Sequence, residues 1–281
     1  MAFAYSLKKE LQLSQEKLLV VVDPNDVEQV ALHRTLVTAG LRAVPPLVKV
    51  FVGVDPEAVD TRANNDNLVR DRQWFENEIF NKLSDAGLES EIEVSWSSEW
   101  QNSILESAKR FSADEVLLPI HPKTNRLRFT FSENKWELLK SVSCPVLLVR
   151  PGAQEKRQVI LAAVNFQAIG SEQQLLNQRI LERGHKTAAL YGAELHIVNA
   201  YVDTSHYPDR GSLANTSGLP AERLHVKNGY TDEVVASIAA EIDADLVIIG
   251  TLNQHGRQSS RRGNTAARVI GHQNVDVMVV N

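Results

Sequence analysis

The sequence predicts two copies of one parallel α/β domain in tandem. Two apolar runs carry the prediction first. Leu18-Leu19-Val20-Val21-Val22-Asp23 ends in an acid, and Val159-Ile160-Leu161-Ala162-Ala163-Val164-Asn165 ends in the matching amide. Continuous runs of this length read as strands covered on both faces, as central parallel strands are. The third observation is a repeat: residues 100–120 align without a gap on residues 231–251.

The elements follow in the same order twice. After the first run, a helical pattern spans 27–40, with Gly40 as a stop signal, and a strand pattern spans 47–54. Residues 67–87 hold Trp74, Phe75, Ile79, Phe80 and Leu83 at helical spacing. Residues 91–96 then alternate apolar and polar, as an edge strand does. An amphipathic helix, the turn Ala113-Asp114, a strand over 115–118 and a closing strand over 146–149 complete the first copy. The second copy repeats this with a helix over 171–192, a strand over 194–201, an edge strand over 223–227, a helix, the turn Ala244-Asp245, and strands over 246–249 and 277–280. One segment differs. Residues 202–221 are rich in Ser, Pro, Gly, Asn and Asp and read as a loop, so the second copy is expected to lack that crossover helix. Alternation of strand and helix predicts parallel sheets with helices on both faces and right-handed crossovers. The domains are placed at 1–150 and 157–281, joined by Pro151-Gly152-Ala153-Gln154-Glu155-Lys156.

Length and charge narrow the function classes. A chain of 281 residues suits about two domains. A formal net charge of -5 argues against a general nucleic-acid binder, which needs a basic excess. Cys144 is the single cysteine, so no intramolecular disulfide is expected, and it reads as a small buried hydrophobe. The first 17 residues lack an apolar core of the secretory kind, and no run reaches membrane-spanning length. A cytoplasmic protein without membrane or nucleic-acid partners is expected.

Open parallel sheets bind ligands at the carboxyl ends of their strands, where strand order reverses. The residues to inspect therefore follow Asp23, Pro119, Asn165 and Gly250. Residues 250–265 contain Gly250, Gly256 and Gly263, three arginines (Arg257, Arg261, Arg262) and no acid, and a helix pattern starts at Ala266. Glycines admit close backbone approach, and amides at a helix start favour an anion, so the segment suits a phosphate. A polar loop ahead of a helix capped by Asn264 or Thr265 suits the same residues. The corresponding stretch of the first copy, from Pro119 to Asn134, has no glycine and carries Glu133 where the second has Asn264. The eight histidines show no metal-ligand spacing, and Asp114 and Asp245 read as turn residues.

These features resemble the universal stress protein family in its tandem form. The resemblance rests on Leu19-Val20-Val21-Val22-Asp23-Pro24-Asn25, on Cys144-Pro145-Val146-Leu147-Leu148-Val149, and on Gly250-Thr251 followed by Gly263-Asn264-Thr265-Ala266. It implies two tandem Rossmann-like domains of the adenine nucleotide alpha hydrolase-like kind, each a five-stranded parallel sheet of order 3-2-1-4-5 flanked by helices. ATP-binding members carry Gly, two residues, Gly, nine residues, then Gly with Ser or Thr. Here the middle glycine falls on Asn253 and the Ser/Thr position on Asn264. The acid that family members place after the first strand is Asp23 in the first copy and Asn165 in the second. The implied nucleotide or phosphate site comprises Asn165, Ala200, Gly250, Asn253, Gly256, Gly263, Asn264 and Thr265. Its ligand would be ATP or another adenine nucleotide, with Mg2+ if ATP, or another phosphorylated small molecule. The resemblance also implies an intramolecular pseudo-dimer through the last strands, a further homodimer and an unidentified protein partner. The function expected is a cytoplasmic stress response exercised by a non-catalytic regulatory module. The alternatives are an interaction scaffold without nucleotide and a weak ATPase.

Overall fold

The computed structural model describes residues 15–54, 70–97, 99–120, 133–152, 154–252 and 265–281. The chain forms two compact units, Met1–Pro119 and Ile120–Asn281.

The first unit contains β1 (Lys17–Val22), α1 (Val30–Gly40), β2 (Leu47–Val54), a broken helix α2, β3 (Ser90–Trp96), α3 (Trp100–Phe111) and β4 (Glu115–Pro119). Its strands lie in the order β3-β2-β1-β4, and every pair is parallel. Leu18 to Val22 are buried, as are Val50, Phe51 and Val52 of β2 and Val116, Leu117 and Leu118 of β4. The unbroken apolar runs are explained by this position, since helices cover both faces of a central parallel strand. β3 ends the sheet as the sequence predicts, but its burial does not follow the apolar–polar alternation: Val94 and Trp96 are exposed and none of its residues is fully buried. Helix α2 runs as Arg72–Phe75, a π-helical stretch Glu76–Phe80 and Asn81–Asp85. Its start is capped by the Asp71 carboxylate, which accepts the Trp74 N–H at 2.8 Å. Ile79 and Leu83 supply its buried stripe, while Phe80 faces solvent.

The second unit contains α4 (Glu133–Ser141), β5 (Val146–Val149), β6 (Val159–Ala163), α5 (Ser171–Tyr191), β7 (Glu194–Tyr201), α6 (Arg210–Ser217), β8 (Leu224–Asn228), α7 (Thr231–Glu241), β9 (Leu246–Gly250), α8 (Thr265–His272) and β10 (Asp276–Val280). Read from β8, its strands run β8-β7-β6-β9-β10, which is the 3-2-1-4-5 order of the second repeat. β5 lies antiparallel beside β10, with Val146 opposite Val279 and Leu148 opposite Val277. The two closing strands therefore meet edge to edge. A buried charge cluster ties down the chain between β5 and β6. Arg157 and Asp276 pair at 2.6 Å with side chains 1% and 0% exposed, and Arg157 lies over the Tyr191 ring. The second oxygen of Asp276 accepts the Arg150 N–H at 2.9 Å.

One expectation is corrected here. Residues 202–221 are not a plain loop, because they contain the two-turn helix α6. Asp209 caps it by accepting the Gly211 N–H at 2.9 Å, and Gly218 ends it in the left-handed conformation. Leu213 buries fully and anchors it. The crossover is shortened, not lost.

The gapless repeat is visible as matched chemistry. Asp114 accepts the Lys17 N–H at 2.8 Å and so clamps the start of β1. Asp245 accepts the Gln158 and Val159 N–H groups at 2.7 and 3.0 Å and clamps the start of β6. Just ahead of each aspartate, Ser112 and Asp243 occupy the left-handed region at equivalent positions. No helix among the described residues is long and apolar enough to cross a membrane.

Candidate functional site

The carboxyl ends of β9, β6 and β7 lie side by side, and they bring Gly250, Asn165 and Ala200 to one end of the second unit. The backbone of β6 continues past its last residue, where the Val164 N–H bonds to the Val198 carbonyl at 3.0 Å. The chain then turns away, so its next polar groups need new partners. Two side-chain amides provide them, and a third, Gln167, ties them to β7. Asn177 on α5 accepts the Asn165 N–H at 3.0 Å and donates to the Asn165 carbonyl at 2.8 Å. Asn199 on β7 accepts the Phe166 N–H at 2.7 Å and donates to the Gln167 side chain at 2.7 Å. Gln167 in turn donates to the Ala200 carbonyl at 2.9 Å. Asn177 and Asn199 are buried, so each pays its desolvation only because these bonds are made. The result is a loop held in one geometry, with the Asn165 side chain left exposed at its tip.

Gly250 has a different role from the one its place in the motif suggests. A Cβ there would lie 2.7 Å from Leu176 Cγ and Cδ2 and 2.8 Å from Ile180 Cδ1. The glycine is required because α5 crosses β9 at this point. Thr265 stands exposed at the first turn of α8. Asn253, Gly256, Gly263 and Asn264 lie outside the described residues, as do His121, His255 and the first copy's stretch 121–132. Gln167, Asn177 and Asn199 were missed by sequence reasoning. Their signal was present: Asn199 interrupts the apolar run of β7, and a polar residue in a buried run needs a reason.

The first copy handles the same position differently. Asp23 is 5% exposed, and its carboxylate accepts the Asn25 N–H at 2.8 Å and the Asn25 amide at 3.1 Å. The acid is folded into its own turn. Gln29 donates to the Asp23 carbonyl and Arg70 to the Pro24 carbonyl, which fixes that turn further.

Several apolar side chains that follow the second unit's strands are exposed. Ile169, Val202, Tyr207 and Tyr230 all follow carboxyl ends of strands and all face solvent. Tyr201 meets Tyr207 edge to face at 5.2 Å. Val27 and Ile169, each four residues past the end of its repeat's first run, are 99% and 93% exposed. Among the described residues, no group of three His, Cys, Asp or Glu side chains is placed to hold a metal ion.

A duplicated α/β chain of parallel strands joined through helices defines a tandem Rossmann-like protein. Comparison with known sequences makes this specific: the universal stress protein family model matches residues 15–150 and 158–281, and the chain belongs to that family. Universal stress protein E of Escherichia coli K12 is 25% identical across 94% of this chain and 93% of that protein. A universal stress protein E homolog of Haemophilus influenzae is 29% identical over 67% of this chain and 69% of its own length. Solved structures share the fold. A Pseudomonas aeruginosa PAO1 protein described as functionally unknown matches with TM-score 0.78 at 22% identity, covering 96% of this chain and 94% of its own. A universal stress protein of Archaeoglobus fulgidus matches with TM-score 0.66 at 14% identity, covering 94% and 96%. The stress-response role follows from the family.

Proposed function

We propose that the second unit binds a phosphorylated small molecule, an adenine nucleotide first among the candidates, and that the chain acts as a cytoplasmic regulatory module without transforming that ligand. The observation that carries this is the β6 exit. An exposed amide, Asn165, stands on a loop braced by Asn177, Asn199 and Gln167, and the apolar Ile169, Val202 and Tyr207, which follow the ends of β6 and β7, are exposed. Small-molecule sites combine an apolar body with a few fixed polar groups, and an amide can both donate to and accept from a base edge. Thr265 opens α8, whose start favours an anion. Gly256, Gly263 and Asn264 would hold the phosphates if the loop before α8 folds around them. Mg2+ would accompany the ligand if that ligand is ATP.

Isothermal titration with ATP, ADP and AMP is the test. Saturable heat with one of them supports the reading, and none above background at millimolar nucleotide removes the nucleotide. A scaffold without nucleotide is the second reading. It is favoured by the same amides, which already occupy the Asn165 and Phe166 N–H groups and the Ala200 carbonyl. For that reading the titration stays flat and partner capture survives Asn165→Ala.

A further inference from the structure

β8 ends the sheet of the second unit and, among the described residues, is paired on one side only, by β7. On the face that these strands share, two imidazoles meet. His196 Nδ1 lies 3.0 Å from His225 Nε2, with the rings inclined by 19° and their centroids 5.3 Å apart. The register that sets Val198 opposite His225 places His196 diagonally across from it. Two ring nitrogens at this distance need one hydrogen between them, so one ring donates and the other accepts. A neutral pair meets that condition, and so does a pair carrying one proton. A pair carrying two does not, because N–H then points at N–H and two cations stand against each other.

The surroundings do not neutralise a second imidazolium. From β7, Glu194 lies 3.6 Å from His196 Nε2, but it is also engaged by Arg223 at 3.1 Å. From β8 itself comes Lys227, which reaches Glu241 of α7 at 3.8 Å. From α6 comes Arg210, which donates to the Leu224 carbonyl at 3.1 Å and ties the crossover helix to β8. Arg210, Arg223 and Lys227 thus outnumber Glu194 and Glu241 around the pair. Burial first, and His196 beside it next, push His225 below its ordinary value of 6.5.

We propose that His196 and His225 form an acid-released clasp, which holds β8 and the crossover helix α6 onto β7 while at most one ring is protonated and frees that edge when both are. The sign follows from linkage. The folded His225 resists a proton that the unfolded chain accepts, so its stabilisation is complete above 6.5 and is lost as pH falls from there through the folded value.

The experiment is amide hydrogen exchange on the full chain at about pH 7.5 and about pH 5, spanning the histidine range, with rates corrected for intrinsic exchange. Residues 210–217 and 224–228 report the edge, and residues 246–250 of β9 serve as reference. Edge protection should fall on the order of tenfold relative to β9 on acidification, a partial opening of the kind that edge elements show. In His225→Gln, whose amide can keep a hydrogen bond but takes no proton, that loss should disappear. An equal loss in wild type and variant overturns the clasp, and so does a wild-type edge that stays protected. If His225→Gln does not fold, His196→Gln carries the same comparison. Ring-nitrogen NMR of the wild type gives a readout that needs no variant. Two imidazoles titrating independently at the ordinary histidine value would refute the pair, whereas coupled steps with one ring held neutral to lower pH support it.

Discussion

Gly250→Ala separates two accounts of the loop glycine. The added Cβ would stand 2.7 Å from two carbons of Leu176 and 2.8 Å from Ile180 Cδ1. Carbon pairs are happiest at about 3.5–4.0 Å, so three contacts are too close by close to an ångström each. Leu176 and Ile180 are 4% and 1% exposed, so neither has an empty side to swing into. Overpacking of this kind costs about 1–3 kcal/mol, and three simultaneous overlaps place the cost in the upper half. Thermal unfolding should then drop by roughly 4–12 °C, at about 2–4 °C per kcal/mol for a protein of this size. The sign is diagnostic, because alanine replacing glycine in an open strand position is favourable by about 0.5–1 kcal/mol. A double-mutant cycle with Leu176→Ala tests the cause. Truncating Leu176 makes room for the new methyl, so the double variant should be more stable than the sum of the single losses by at least about 1 kcal/mol. A stability within about 0.5 kcal/mol of wild type, or strict additivity in the cycle, refutes the packing account. Lower nucleotide affinity at unchanged stability would instead restore the phosphate role.

Two further outcomes rest on the fold. Asp276→Ala leaves Arg157 buried without its 2.6 Å partner and the Arg150 N–H without its acceptor, so urea unfolding should show a loss of about 3–5 kcal/mol. Ser112→Gly and Asp243→Gly should each raise stability by about 0.5–1 kcal/mol, because a left-handed side-chain residue costs about 1–2 kcal/mol and glycine returns part of that as chain entropy. The denaturation midpoint reads both, and a loss in either variant contradicts the strain at these matched positions.

The architecture was legible because it depends on patterns that repeat. Apolar runs at 18–22 and 246–249 had to be central strands, and alternation at 91–96 and 223–227 had to be edges. Helix α6 was missed because its body, from Arg210 to Ser217, contains Gly, Ser, Asn and Thr, which have low helix preference. Its ends gave better information than its middle: Asp209 is a cap and Gly218 a stop. The amide network was hidden for another reason. Gln167, Asn177 and Asn199 are far apart in sequence, and only the pairing of β6 with β7 and the packing of α5 bring them to one loop. The His196–His225 contact was hidden likewise, since no local spacing records a diagonal across two strands.

The two repeats also show that a retained residue need not mean a retained site. Asp23 keeps the acid that the family places after its first strand, yet its carboxylate is buried and spent on Asn25. Asn165 has lost the charge, yet its side chain reaches solvent. The two turns also satisfy their backbone groups differently. In the first copy the acid itself accepts the N–H two residues on, a local turn that needs no neighbour. In the second copy Asn177 and Asn199 accept the Asn165 and Phe166 N–H groups from outside, and the Asn165 side chain stays exposed. A ligand approaching the strand ends would therefore meet a free amide in the second unit and a closed turn in the first. Ile169 strengthens the contrast, because covering a side chain left 93% exposed contributes about 25 cal/mol for each Å² removed from water. Val27 offers the same gain in the first unit, but beside an acid already turned inward. Polar recognition and apolar cover coincide at the β6 exit, and that coincidence favours the second unit over the one that kept the acid.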